Sequence, residues 1–154
     1  MKTIRVVVTP DEDVIDTYSI RNPAQIEFYF VIYLNDPDGW SKKGYFFMPV
    51  ASHGDVSIRL SSPETIQKKC GLSKELSCAE LGGKHMYLNA ERWFHGASKS
   101  KLSLDNYRQY MVSHEIGHIL GFDHEECPCK GCPAPVMMQQ TLGIGQCKPS
   151  TKVR

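Results

Sequence analysis

The chain has 154 residues, 41% of them hydrophobic, which is the size of one domain with a buried core and leaves no room for a second. Its 18 basic and 17 acidic side chains leave a net charge of +1, so there is no electrostatic footprint for nucleic acid or an anionic membrane. No run approaches the ~18 apolar residues of a membrane span, and Met1–Val8 lacks the apolar core of a signal peptide, so a soluble protein without a membrane span is expected.

In chain order, Thr3–Val8 is β-branched and short and predicts a first strand, followed by a loop at Pro10 and the acidic Asp11–Asp13. Between Pro23 and Leu34 the apolar residues are too dense for a clean period. Their β-content favours a strand, whereas the Pro23 start and the length favour a helix ending at Asn35-Asp36-Pro37. Gly44–Val50 and Asp55–Leu60 predict two strands with a turn at His53-Gly54. Ser62 as cap, Pro63 at the first helical position and Glu64 behind it predict a short helix to Cys70, stopped by Gly71. Ser73–Gly83 reads as a polar loop and Lys84–Leu88 as the last strand. Trp93 and Phe94 are assigned to core or cleft wall.

A helix capped by Ser103 or Asp105 then runs into His114-Glu115-Ile116-Gly117-His118-Ile119-Leu120-Gly121-Phe122-Asp123-His124. Val112, Ile116, Ile119 and Leu120 form a core stripe, and His114 and His118, four residues apart, point from the opposite side at one metal ion. Gly121 can turn the chain back so that His124 adds a third imidazole, which leaves a coordination position open and marks a catalytic rather than a structural zinc. Glu115, about 100° around the helix from His114, is placed to act as a base toward water. His53, His85 and His95 are read as ordinary histidines, because three ligands are already supplied.

The six cysteines, Cys70, Cys78, Cys127, Cys129, Cys132 and Cys147, are an even number at local spacings that suit disulfides in an extracellular or otherwise oxidising compartment. Cys129-Lys130-Gly131-Cys132 lacks both a second CxxC and a preceding strand, so a local disulfide or free thiols are favoured over a redox pair or half a zinc knuckle.

The segment His114–His124 resembles the HExxHxxGxxH pattern of the metzincin zinc peptidases, which also carry a downstream Met-turn. Pro135–Thr141 resembles that turn, with Met137 the first choice for the methionine under the histidines and Met138 the alternative. The blocks Asp36–Trp40, Leu88–Gly96, Leu104–Tyr110 and Pro133–Thr141 are similar to the DUF3152 family of metzincin-like proteins, a resemblance running across most of residues 28 to 148. The resemblance implies an α+β metzincin-like (zincin) fold with a twisted mixed sheet packed on helices, an active-site helix, and a small C-terminal part of about 122–154 carrying the third histidine and the Met-turn. It also favours the helix for Pro23–Leu34, and implies disulfides Cys70–Cys78 and Cys127–Cys147. Lys84, His85, Met86, Tyr87 and Leu88 are placed by resemblance at a sheet edge that binds substrate as an added strand.

The function expected from these readings is that of a monomeric endopeptidase using one Zn2+ held by His114, His118 and His124, with Glu115 taking the proton from the attacking water and a peptide or protein as substrate. Two alternatives use the same residues. One is a zinc-bound peptide-binding module with its cleft blocked by the loop from Cys127 to Pro135; the other is zinc hydrolysis of a non-peptide bond.

Overall fold

The computed structural model describes residues 1–71 and 73–154. Strand β1 (Lys2–Pro10) alternates, with Ile4, Val6 and Val8 buried and Arg5 and Thr9 exposed, so a single face meets the core. The acidic stretch behind it is a short helix, α1 (Glu12–Thr17), rather than the expected loop. Val14 anchors it in the core, and Asp11 is occupied by a bidentate pair with Arg59 at 2.9 and 3.0 Å. Helix α2 (Pro23–Leu34) settles the ambiguous apolar run: Ile26, Phe30, Tyr33 and Leu34 form the buried stripe. Phe28, Tyr29 and Ile32 stay exposed, and their presence is what blurred the period.

Strands β2 (Tyr45–Pro49) and β3 (Val56–Ser61) do not form a hairpin, although the sequence placed only a turn between them. Both run parallel to β1, on its two sides: β2 pairs with Lys2–Val6 and β3 with Val6–Pro10. The link therefore crosses β1 near its middle, held by Val50 N–H to Val6 O at 2.9 Å and Asp55 N–H to Arg5 O at 2.7 Å. Gly54 permits the crossing, since a Cβ there would stand 2.9 Å from Val7 Cγ2 and 3.1 Å from Arg5 O.

Helix α3 (Pro63–Cys70) has the Ser62 cap, whose Oγ accepts Thr65 N–H at 3.1 Å, and ends at Gly71 with φ +66°. The following loop contains a two-residue strand, β4 (Cys78–Ala79), antiparallel to β5 (His85–Asn89). The resulting five-stranded mixed sheet has the order β2-β1-β3-β5-β4. Asn89 then caps a helix absent from the sequence reading, α4 (Ala90–His95), by accepting from Glu91 N–H and Arg92 N–H. Trp93 from α4 packs edge-on against Phe30, with centroids 4.5 Å apart, and the Arg108 guanidinium lies over its ring at 4.8 Å.

Helix α5 (Leu104–Ile119) starts at Ser103, whose Oγ accepts Asn106 N–H at 3.2 Å. It packs beside α2 and against β4 and β5 of the sheet, and its residues from Gln109 to Ile119 are all buried. A second, smaller cluster is formed by Ala134, Ile144 and Cys147, with Cys127, Cys132 and Met138 against it. Disulfides Cys127–Cys147 and Cys129–Cys132 staple this region and Cys70–Cys78 ties α3 to β4, so both pairings implied by the family resemblance are present. Among the described residues no helix is long and apolar enough to cross a membrane.

Candidate metal centre

The end of α5 builds the site. Gly121, at φ +101°, lets Gly121 N–H reach His118 O at 2.9 Å and Phe122 N–H reach Gly117 O at 3.0 Å, the paired bonds of a Schellman stop. The same turn aims Phe122 O back at the helix, where it accepts His118 Nδ1–H at 2.8 Å. His114 Nδ1 bonds to Val136 O, also at 2.8 Å. A carbonyl accepts only an N–H, so in both rings Nδ1 carries the proton and the Nε2 lone pair faces inward.

His124 follows the turn, exposed, with its N–H on Asp123 Oδ1 at 2.7 Å. One ring nitrogen from each of His114, His118 and His124 lies within 4.8 Å of the others. His118 Nε2 and His124 Nε2 are 3.1 Å apart, where two lone pairs repel unless a proton or a cation lies between them. Tetrahedral Zn–N bonds of about 2.0–2.1 Å put donor nitrogens roughly 3.3 Å apart, so the donor set fits such an ion. Glu115 adds a second fitting feature: it is buried, its Oε1 stands 3.8 Å from His114 Nε2, and its Oε2 has no hydrogen-bond partner. Such an orphaned buried acceptor calls for a group that brings protons or positive charge.

Burial sets the proton affinities. It pushes the Glu115 carboxyl up to about 8 and the His114 imidazole down to about 3, the latter partly offset by the Val136 carbonyl. In chelator-treated protein, the unfolded chain holds the extra His114 proton between about pH 3 and 6.5, so stability is lost as pH falls through that window. For Glu115 the folded state holds the proton, so its contribution is complete below about pH 4.5 and is lost as pH rises toward 8. Burial lowers the His118 imidazole as well, which adds to the loss on the acid side, so metal-free stability should peak near pH 6.5. Urea unfolding across pH 3–9 checks this, and a steady rise up to pH 8 would contradict it.

Below α5, Met137 packs into the helix at Gly117. An added Cβ on Gly117 would collide with Met137 Sδ and stand 2.9 Å from Trp40 Cζ2. Met138 instead belongs to the disulfide-stapled cluster. Trp40 is fixed by its Nε1–H to Ser113 O at 2.8 Å and stacks on Phe122 at 4.8 Å. Gly117→Ala would regain about 1 kcal/mol of helix propensity. Overpacking against these locked neighbours costs about 1–3 kcal/mol, so a net loss of stability is expected by chemical denaturation.

Above the histidines lies a cleft of about 220 Å³, bounded on one side by Leu76–Ala79 and Leu81 and on the other by Tyr107, Tyr110 and Thr141. This corrects the assignment of Lys84–Leu88 to a substrate-binding edge. β5 lies between β3 and β4, and Met86 and Leu88 are fully buried in the core. The edge on the cleft side is β4, held at its far end by Gly82 N–H to His118 O at 2.8 Å. His53 rests beside Ser52 and His95 beside Glu91, whereas His85 begins β5.

Sequence reasoning passed over three supports of the site: the carbonyls of Phe122 and Val136, and the Tyr110 hydroxyl. The carbonyls carry no residue-type signal. Tyr110 does carry one, since it stands one helical turn before His114.

The fold and site define a single-domain mixed α/β protein whose long central helix and following turn gather three histidines beside a buried glutamate. Residues 24–150 match the model of DUF3152, described as a protein of unknown function, and the chain belongs to that family. No curated protein matches it. Among solved structures it is similar to two of myroilysin, at 17% and 18% identity with TM-scores of 0.47 and 0.44, covering 80% and 86% of this chain. It spans about half of those chains, 49% and 48%. It is also similar to archaemetzincin from Archaeoglobus fulgidus, at 15% identity and a TM-score of 0.41, covering 94% of this chain and 96% of that one.

Proposed function

We propose that this chain is a zinc-dependent endopeptidase of the metzincin type. The observation that carries the reading is the convergence of three imidazole nitrogens beside a buried carboxylate oxygen that has no partner. His114, His118 and His124 would hold the ion, the first two through Nε2 with Nδ1–H pinned on Val136 O and Phe122 O. A zinc ion in that position supplies Lewis acidity, making a water more acidic and polarising the scissile carbonyl. Glu115 would accept the proton of the attacking water and pass it to the leaving amine, a role for which its Oε2 is free of protein partners. Tyr107, Tyr110, Met111 and Leu76 line the cleft around that transfer.

An extended peptide would add along the free edge of β4, whose residues Cys78 and Ala79 line the cleft. Met137 is the methionine assigned to the floor, on the strength of its contact with Gly117 between the two helical histidines. The loop from Cys127 to Pro135, the expected block of the cleft in a pure binding module, is not among the residues lining it. The three disulfides are compatible with an oxidising or extracellular location. The test is digestion of a mixed peptide library by zinc-loaded protein with and without a chelator. Cleavage that the chelator removes supports the proposal; stoichiometric capture without cleavage would replace the enzyme with a binding module.

A further inference from the structure

We infer that Tyr110 is a positioning residue for the metal site, its hydroxyl clamping the loop whose Val136 carbonyl orients His114. Tyr110 is 3% exposed and lies one helical turn before His114. Its hydroxyl donates to Met138 O at 2.9 Å and accepts Gln140 N–H at 2.9 Å, so one atom on α5 holds two points of the loop that follows Val136. Met138 N–H bonds back to Pro135 O at 3.0 Å and closes that loop into a turn around Val136. Val136 O then takes His114 Nδ1–H at 2.8 Å, and the same N–H has Tyr110 Oη as a longer second acceptor at 3.4 Å. The imidazole is thus held between a carbonyl and the phenol that fixes that carbonyl's position.

Phenylalanine at 110 would keep the ring and its packing on His114, at 5.3 Å between centroids, and remove only the clamp. Met138 O and Gln140 N–H would then seek other partners, and the loop would shift. With Val136 O no longer fixed, the His114 ring is free to exchange tautomers. Tyr107 provides the matched comparison, because it is also buried and lines the same cleft, but its hydroxyl meets only Thr141 Oγ1, at 2.7 Å. Loss of either hydroxyl removes one buried side-chain anchor, yet only Tyr110 touches the support of a proposed ligand.

The inference rests on the proposed metal site, and the experiment separates the two. Zinc affinity is measured by competition with a chromophoric chelator for the parent, Tyr110→Phe and Tyr107→Phe proteins. The His114 tautomer in zinc-free protein is read from long-range proton–nitrogen spectra. Tyr110→Phe should bind zinc about 10- to 100-fold more weakly, the range for loss of an outer-shell partner, and should show mixed His114 tautomers. Tyr107→Phe should match the parent in both. A Tyr110→Phe protein with parental affinity and a single tautomer overturns the inference alone, as does equal weakening by Tyr107→Phe. A parent that takes up no zinc overturns the metal reading and this inference with it.

Discussion

Glu115→Gln should leave zinc uptake at the parental stoichiometry and lower peptide turnover by about 10²- to 10⁴-fold, the range for loss of a general acid–base group. Glutamine has the same shape, and the site it would fill is buried, with the nearest ring nitrogen, His114 Nε2, at 3.8 Å. Packing therefore stays as it is. What disappears is the capacity to accept a proton. A second reading of the same variant is independent of catalysis: in metal-free protein, removing the carboxyl whose affinity is raised to about 8 should abolish the loss of stability on the alkaline side. Parental turnover by Glu115→Gln would remove the proposed base. An unchanged alkaline limb would mean that the buried carboxyl is not what sets it.

Trp40→Ala should have the largest effect on stability, about 3–5 kcal/mol, the range for truncating a buried aromatic. At roughly 2–4 °C per kcal/mol in a domain of this size, the melting temperature should fall by about 6–20 °C. Three contacts converge on that ring: the indole N–H on Ser113 O, the stack on Phe122, and the close approach at Gly117. Because Phe122 O orients His118, releasing Phe122 should also weaken zinc binding. Trp40→Phe keeps part of the stacking area but loses the hydrogen bond and some ring volume, so its melting temperature should lie between those of the parent and the alanine variant. A Trp40→Ala protein that melts within 2 °C of the parent would show that the ring does not support the helix end.

Much of the site's scaffold was legible along the chain because it depends on neighbours in sequence. Ser62 and Ser103 cap their helices because a side-chain oxygen reaches an N–H three residues on. Gly121 stops α5 because only a residue without a Cβ takes φ +101° without strain. His114 and His118 share a side of α5 because the helical repeat places residues four apart on one face. Composition misled where a short polar stretch gained order from distant partners. α1 forms against the core through Val14, and β4 exists only by pairing Cys78 and Ala79 with Tyr87 and Met86.

By itself, then, the order of residues determined the central helix, its stop, and the family-level pattern of histidines and glutamate around them. The tertiary structure alone decided that β2 and β3 flank β1 instead of pairing, and that β4 rather than β5 borders the cleft. It also decided that Met137 rather than Met138 lies against Gly117, and that the carbonyls of Phe122 and Val136 select the ring nitrogens facing inward. The division has one physical cause. Helix turns and stops are set by steric and hydrogen-bonding rules acting over four or five residues, whereas strand order and carbonyl direction depend on which distant surfaces bury each other.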